Sequence, residues 1–271
     1  MSCCPPNSEP HLSIDYQPRG KVASFDNVEF YCVGDSSSKR GILIIPDIFG
    51  WNGSRTRNVA DLFADIDGVR GESYYVVVPK ILIPALEGGT DGDGLPADFD
   101  MAARGGEIRP FITSFPWPVL APRVNAALKH MLTEGITKIG LVGFCWGGWV
   151  TSKIQAGDDK PPQVVCAVVP HPSITCEEMH GGDTVQLVSR AKGPMLLLPA
   201  GNDPDRYRPG GDVLEALRAA QPESDVALDF GEMRHGWAVR GDVSDPAVRA
   251  AVDLALGKAI RYISAQFARR P

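Results

Sequence analysis

The stretch Ile139-Gly140-Leu141-Val142-Gly143-Phe144-Cys145-Trp146-Gly147-Gly148 decides how this chain folds. Lys138–Gly143 reads as a short buried strand, and Phe144–Gln155 reads as a helix that follows with no room for a loop. Glycine stands two residues before and two residues after Cys145. A side chain at either position would collide with the neighbouring strand or helix, and the residue at the tip is strained. The turn aims Cys145 at the N-terminal end of a helix, where the dipole favours a thiolate. The plainer reading is a buried Cys in an ordinary strand-to-helix turn, and residues further along the chain decide between the two.

Working outward, short β-branched runs alternate with longer amphipathic ones. Val28–Val33, Gly41–Pro46, Tyr74–Pro79, Val164–Pro170, Pro194–Ala200 and Asp225–Gly231 read as strands. Arg55–Ile66, Pro118–Leu132, Val213–Ala220 and Asp245–Ala268 read as helices. The alternation predicts an α/β fold with a mostly parallel central sheet and helices on both faces. Residues 1–20 are polar and rich in Pro and predict an extended N-terminal arm. Residues 21–271 then form one domain. Lys80–Trp117 lacks periodicity, carries Gly88, Gly89, Gly92 and Gly94, and reads as a long loop covering an active site.

The Gly-x-Cys-x-Gly turn is the nucleophile elbow of the α/β-hydrolase fold with sulfur in place of oxygen. That fold orders its triad as nucleophile, acid, base. After Cys145, the strand near Met195 runs into Ala200-Gly201-Asn202-Asp203-Pro204, and the next runs toward Met233-Arg234-His235-Gly236-Trp237. Asp203 and His235 therefore stand on loops past strand ends, where open α/β sheets place their sites. His235 is the candidate base and Asp203 the residue that fixes its tautomer. The backbone N–H of Trp146 and of Ile48, in the loop Pro46–Gly50, are the candidate oxyanion donors. Asp47 either holds a turn or lies near the thiol.

The Gly-Phe-Cys-Trp-Gly-Gly elbow, Asp47-Ile48-Phe49-Gly50, Gly201-Asn202-Asp203 and His235-Gly236-Trp237 together resemble the dienelactone hydrolase (carboxymethylenebutenolidase) family, from about Val22 to Phe267. The opening Cys3-Cys4-Pro5-Pro6 is similar to its eukaryotic and plant branch. The resemblance implies a Cys145–His235–Asp203 triad, oxyanion donors at Ile48 and Trp146, and cofactor-free hydrolysis of enol-lactones and related activated esters. It places Asp47 where bacterial members hold a Glu that partners the thiol. Arg240 is a counterpart of one carboxylate-binding arginine, while Arg104, Arg109 and Arg123 compete for the other. Lys80 departs from the family, which more often has an acid there.

Weaker signals remain. His171, Cys176 and His180 form His-x₄-Cys-x₃-His, a poor match to zinc patterns. His171 is better read as lining a pocket, and no metal is assigned. Cys3-Cys4 could bind metal or oxidise, but a tail pair is more often without a role. Trp117, Trp146 and Trp237 line either a pocket or the core.

The chain's 271 residues are 44% hydrophobic with a net charge of −6. Such a chain buries a core without staples, and its acidity disfavours nucleic acid and anionic membranes. No apolar run approaches a membrane span, no secretory signal is read at the N-terminus, and six Cys do not make a disulfide scaffold. The expectation is a cytoplasmic monomer or homodimer acting on a small lactone or ester. The same triad would serve a thioesterase or general carboxylesterase. A redox-sensing or binding protein on a hydrolase scaffold is the non-enzymatic alternative.

Overall fold

The computed structural model describes residues 3–10, 16–53, 55–66 and 73–269. Its strands are β1 (Lys21–Phe25), β2 (Val28–Gly34), β3 (Arg40–Ile45), β4 (Tyr75–Pro79), β5 (Lys138–Gly143), β6 (Val164–Pro170), β7 (Met195–Leu198) and β8 (Asp225–Val226). The helices are α1 (Thr56–Asp65), α2 (Met101–Arg104), α3 (Ile108–Thr113), α4 (Trp117–Thr133), α5 (Gly147–Ala156), α6 (Cys176–Met179), α7 (Thr184–Ser189), α8 (Asp212–Ala220), α9 (Trp237–Arg240) and α10 (Pro246–Arg269). The strands form one sheet in the order β1-β2-β4-β3-β5-β6-β7-β8. The β1–β2 and β2–β4 pairs are antiparallel and the rest are parallel.

The period-2 alternation of the central strands builds two cores. Leu43, Ile45, Ile139 and Leu141 point to the face covered by Val124 and Leu128 of α4 and by Trp149 and Ile154 of α5. Ile42, Ile44 and Val142 point to the face covered by Val59 and Phe63 of α1 and by Ile260 and Ile263 of α10. Strands buried on both faces read as continuous apolar runs. Each such side chain contributes about 1.5–3 kcal/mol of burial free energy. That double burial fixes the C-terminal ends of β3, β5, β6 and β7, which carry the candidate site.

Three elements differ from their sequence reading. The helix after the elbow begins at Gly147 rather than Phe144, because Cys145 has a left-handed backbone (φ 53°) that a helix cannot contain. The last strand pairs only over Asp225–Val226, since Leu228 is 52% exposed and the ladder ends with the N–H of Ala227 donating to the Leu197 carbonyl. Lys80–Trp117 is not an aperiodic loop. It contains α2 and α3, and Leu95, Ile108 and Ile112 anchor it in the core.

Candidate active site

The elbow forms as its glycines require. A Cβ on Gly147 would run into the backbone carbonyls of Ile45 and Pro46, so only glycine lets α5 start this close to the end of β3. Cys145 is held at its positive φ by its own N–H donating to the Pro170 carbonyl (3.3 Å) and by its carbonyl accepting from Ser173 N–H (3.1 Å). Strain of this kind persists only where surrounding structure enforces it, and it clusters at functional sites. The Cys145 side chain is fully buried, and its Sγ lies 3.6 Å from Ser173 Oγ.

Asp203 and His235 come together from the ends of β7 and β8. His235 Nδ1 lies 2.6 Å from Asp203 Oδ1, while Asp203 Oδ2 accepts the Ala200 N–H at 2.7 Å. The His235 backbone N–H donates to Asn202 Oδ1 (2.7 Å), a brace that no sequence signal singled out beyond the Gly-Asn-Asp triplet itself. Burial alone would push the His235 imidazole down. Its electrostatic interactions with Cys145 and Asp203, with the Asp203 hydrogen bond, instead hold it well above the usual range. Its Nε2 is buried without a hydrogen-bond partner.

The loop after β3 brings a third group. Asp47 Oδ1 accepts the Phe49 N–H (3.0 Å), and its Oδ2 faces Arg240 Nη1 at 3.6 Å, both side chains being fully buried. Asp47 thus does hold its turn, and it also sits in the site, where burial raises its carboxyl against the opposing pull of Arg240. All three guanidinium nitrogens of Arg240 are buried without hydrogen-bond partners, so the Asp47 carboxylate offsets the cation's charge across that gap. Gly236, at φ 94°, lets α9 turn over this guanidinium, since a Cβ there would collide with it. Ile48, on the loop after β3, and Trp146, the residue after Cys145 that caps α5, are both fully buried.

Residues 3–10 lie over the thiol. Cys4 Sγ is 3.8 Å from Cys145 Sγ and 3.7 Å from Cys3 Sγ. The Cys3 carbonyl accepts from Ser173 Oγ, Asn202 Nδ2 donates to the Pro6 carbonyl (3.0 Å), and Glu9 N–H donates to the His235 carbonyl (2.7 Å). Cys3 and Cys4 are therefore buried in the site, which the expectation of a tail pair without a role missed. Burial pushes the Cys145 thiol up to about 11. Hydrogen bonds from Cys145 and Cys3, with help from His235 and Arg240, hold Cys4 well below its ordinary value.

Other candidates fall elsewhere. His171 packs edge-on against His235 (ring centroids 4.9 Å), and burial holds it well below its usual range, so it is a neutral wall of the site. His180 stacks on Trp149 at 4.4 Å, so the His-x₄-Cys-x₃-His residues do not converge. Among the described residues, Cys3, Cys4 and Cys145 are the group whose ligand atoms do, all within 4.8 Å of one another. Trp237 stacks on Phe230 (4.6 Å) in the second core, and Trp146 packs against Trp149 (5.9 Å). Arg104 pairs with Glu107 (2.8 Å), Arg109 is exposed, and Arg123 donates to the Ile81 carbonyl (2.7 Å). Arg240 is thus the candidate arginine found beside Cys145. Lys80 pairs with Glu29 at 3.0 Å.

Among the described residues no helix is long and apolar enough to cross a membrane. Residues 28–267 match the dienelactone hydrolase family, and the chain belongs to it. Hydrolase tropI of Talaromyces stipitatus is 27% identical over 91% of this chain and 90% of its own. The carboxymethylenebutenolidase homolog of Rattus norvegicus is 25% identical over 52% of each chain. A Klebsiella pneumoniae crystal structure described as a dienelactone hydrolase superposes with a TM-score of 0.66 at 17% identity, covering 90% of this chain and 98% of that one. Family membership supports a hydrolase function.

Proposed function

From that family membership we propose that the chain hydrolyses enol-lactones and related activated carboxylic esters through an acyl-cysteine, with no cofactor. The observation that carries this reading is the buried Asp203–His235 pair, 2.6 Å apart, beside a cysteine held at φ 53° on a strand-to-helix turn. A binding scaffold has no use for a tautomer-fixed imidazole in that register.

In the proposed reaction, His235 Nε2 takes the Cys145 thiol proton, and Asp203 stabilises the resulting imidazolium through Nδ1–H. The thiolate attacks the ester carbonyl carbon. The oxyanion accepts from the backbone N–H of Ile48 and Trp146. Collapse breaks the acyl C–O bond and expels an enolate, which takes the proton from His235. Water, deprotonated by His235, then attacks the thioester and releases the acid and the Cys145 thiol. Arg240 attracts a substrate carboxylate, with Asp47 holding the guanidinium in place. An enolate leaves readily, whereas an amine leaves poorly from a sulfur-bound intermediate, which favours lactones and activated esters over amides.

Cys145 and His235 are fully buried, and residues 3–10 lie on both, so substrate reaches them when that segment lifts. Steady-state rates on a dienelactone, p-nitrophenyl acetate and an acyl thioester test the reading. The dienelactone is expected to show the highest kcat/KM, with all turnover lost in Cys145→Ala. Turnover by Cys145→Ala at the wild-type rate would overturn it, and a thioester preference would move the substrate class.

A further inference from the structure

Three sulfurs converge where residues 3–10 lie over the elbow, and the proposed hydrolysis uses only one. Cys4 and Cys145 stand 141 residues apart in sequence, yet the Sγ atoms of Cys3, Cys4 and Cys145 lie within 4.8 Å of one another, with consecutive separations of 3.7 and 3.8 Å. A tetrahedral zinc centre has Zn–S bonds of about 2.3 Å, which sets its sulfur–sulfur edges at about 3.8 Å. Two of the three separations thus match a tetrahedral edge, and the third lies within 4.8 Å, close enough to shorten around an ion.

We propose that Cys3, Cys4 and Cys145 form a binding site for a thiophilic divalent cation, Zn2+, and that its occupation shuts the hydrolase.

His235, which interacts with Cys145 but lies outside the group of converging sulfurs, would move toward the ion to serve as its fourth ligand. Its Nε2 is buried without a hydrogen-bond partner, and its Nδ1 is fixed by Asp203 at 2.6 Å. That carboxylate–imidazole arrangement is the one that orients zinc-ligating histidines. Three cysteines and one histidine make a common structural zinc set. Binding releases the protons of those three sulfurs that still carry them and leaves a site of charge −1. The Arg240 guanidinium, close enough to feel both Cys4 and Cys145, offsets that charge.

The backbone is already arranged to deliver the ligands. Pro5 and Pro6 stiffen the segment, and the Cys3 and Pro6 carbonyls are tied to Ser173 and Asn202, so both thiols are presented without ordering a free tail. Zinc would therefore act as a clasp between this segment and the elbow, holding Cys145 out of reach of substrate. The site uses Cys145 and His235, but its existence does not require that they catalyse hydrolysis.

The test is titration of the full, reduced chain with Co2+ and then Zn2+. One equivalent of Co2+ is expected to give a thiolate-to-cobalt charge-transfer band and the visible d–d bands of tetrahedral geometry, both displaced by Zn2+. In the double variant Cys3→Ser/Cys4→Ser, affinity is expected to fall on the order of 100-fold or more. X-ray absorption of the zinc-loaded wild-type chain provides a check that needs no variant. It is expected to show three sulfurs at about 2.3 Å and one nitrogen at about 2.0 Å. An octahedral cobalt spectrum, an oxygen-only shell, no stoichiometric binding, or unchanged affinity in the double variant would overturn the site. Because these readouts need no turnover, a chain that binds zinc but hydrolyses nothing even when metal-free would sink the proposed function and leave the metal site standing.

Discussion

Asp203→Asn isolates the part of the site that is most sharply defined by geometry. Asp203 Oδ2 accepts the Ala200 N–H at 2.7 Å, so an asparagine must place its carbonyl there. Its NH2 then faces His235 Nδ1 across a gap of 2.6 Å, and an N–H donor at that point forces Nδ1 to be the acceptor. The ring proton moves to Nε2, and the imidazole can no longer take a proton from Cys145. The variant also loses the carboxylate that stabilises the imidazolium. At an effective dielectric of about 20, two charges about 4 Å apart attract by about 4 kcal/mol. Charge loss and wrong tautomer together are expected to lower kcat/KM by about 1,000- to 10,000-fold. Circular dichroism should be unchanged, because the Ala200 bond survives. Burial places the Cys145 thiol near 11, so thiolate formed without a base rises about tenfold per pH unit. The deficit should narrow by that factor from about pH 8 to pH 10. Stopped-flow hydrolysis of p-nitrophenyl acetate across that range is the assay. A folded variant within tenfold of wild type at pH 7, or a deficit independent of pH, would refute the reasoning.

Removing residues 1–10 should speed alkylation of Cys145 by iodoacetamide at least about tenfold, because residues 3–10 cover a fully buried sulfur; peptide mass mapping reads it, and an unchanged rate would move the cover elsewhere. Breaking the Asp47–Arg240 pair should be costly. At 3.6 Å and an effective dielectric of about 20 the attraction is about 4–5 kcal/mol, so Arg240→Met should lose about 3–5 kcal/mol in urea unfolding and Asp47→Asn/Arg240→Met should recover most of it. Additive single losses would show that the two do not interact. Burial raises Asp93 to about 6 even though the Trp51 and Leu82 N–H groups donate to it. The folded chain then binds this proton more tightly than the unfolded one. Stability from Asp93 is full below about pH 4 and declines by about 3 kcal/mol as pH rises through 6. Asp93→Asn should flatten that slope in unfolding midpoints measured between pH 4 and 7, and an unaltered slope would assign it to other groups.

Much of this was legible in the sequence, for identifiable reasons. Strands buried on both faces cannot be anything but continuous apolar runs, so Arg40–Ile45, Tyr75–Pro79 and Val164–Pro170 declared themselves within a residue or two. The elbow was equally plain, because no other residue than glycine fits at 147. The hairpin strand Lys21–Phe25 was hidden, since its faces are mostly exposed and its turn rests on left-handed Asp26 and Asn27 rather than glycine. Within the site, strand order put Asp203 and His235 past their strand ends, and the fold brings them into contact. The Cys3–Cys4 cover was not legible, because nothing local in a polar, Pro-rich segment says that it will fold back 141 residues along the chain to meet Cys145. Such a contact belongs to tertiary packing, and only the unusual Cys-Cys pair hinted at it.

The most direct test of the hydrolase reading is intact-mass spectrometry on chains quenched within a second of mixing with p-nitrophenyl acetate, wild type beside Cys145→Ala. The expected result is a single acetyl adduct on the wild-type chain, mapped to Cys145 and decaying as acetate appears, with none on the variant. An adduct of equal yield on both proteins, or turnover by the variant at the wild-type rate, would contradict an acyl-cysteine at position 145.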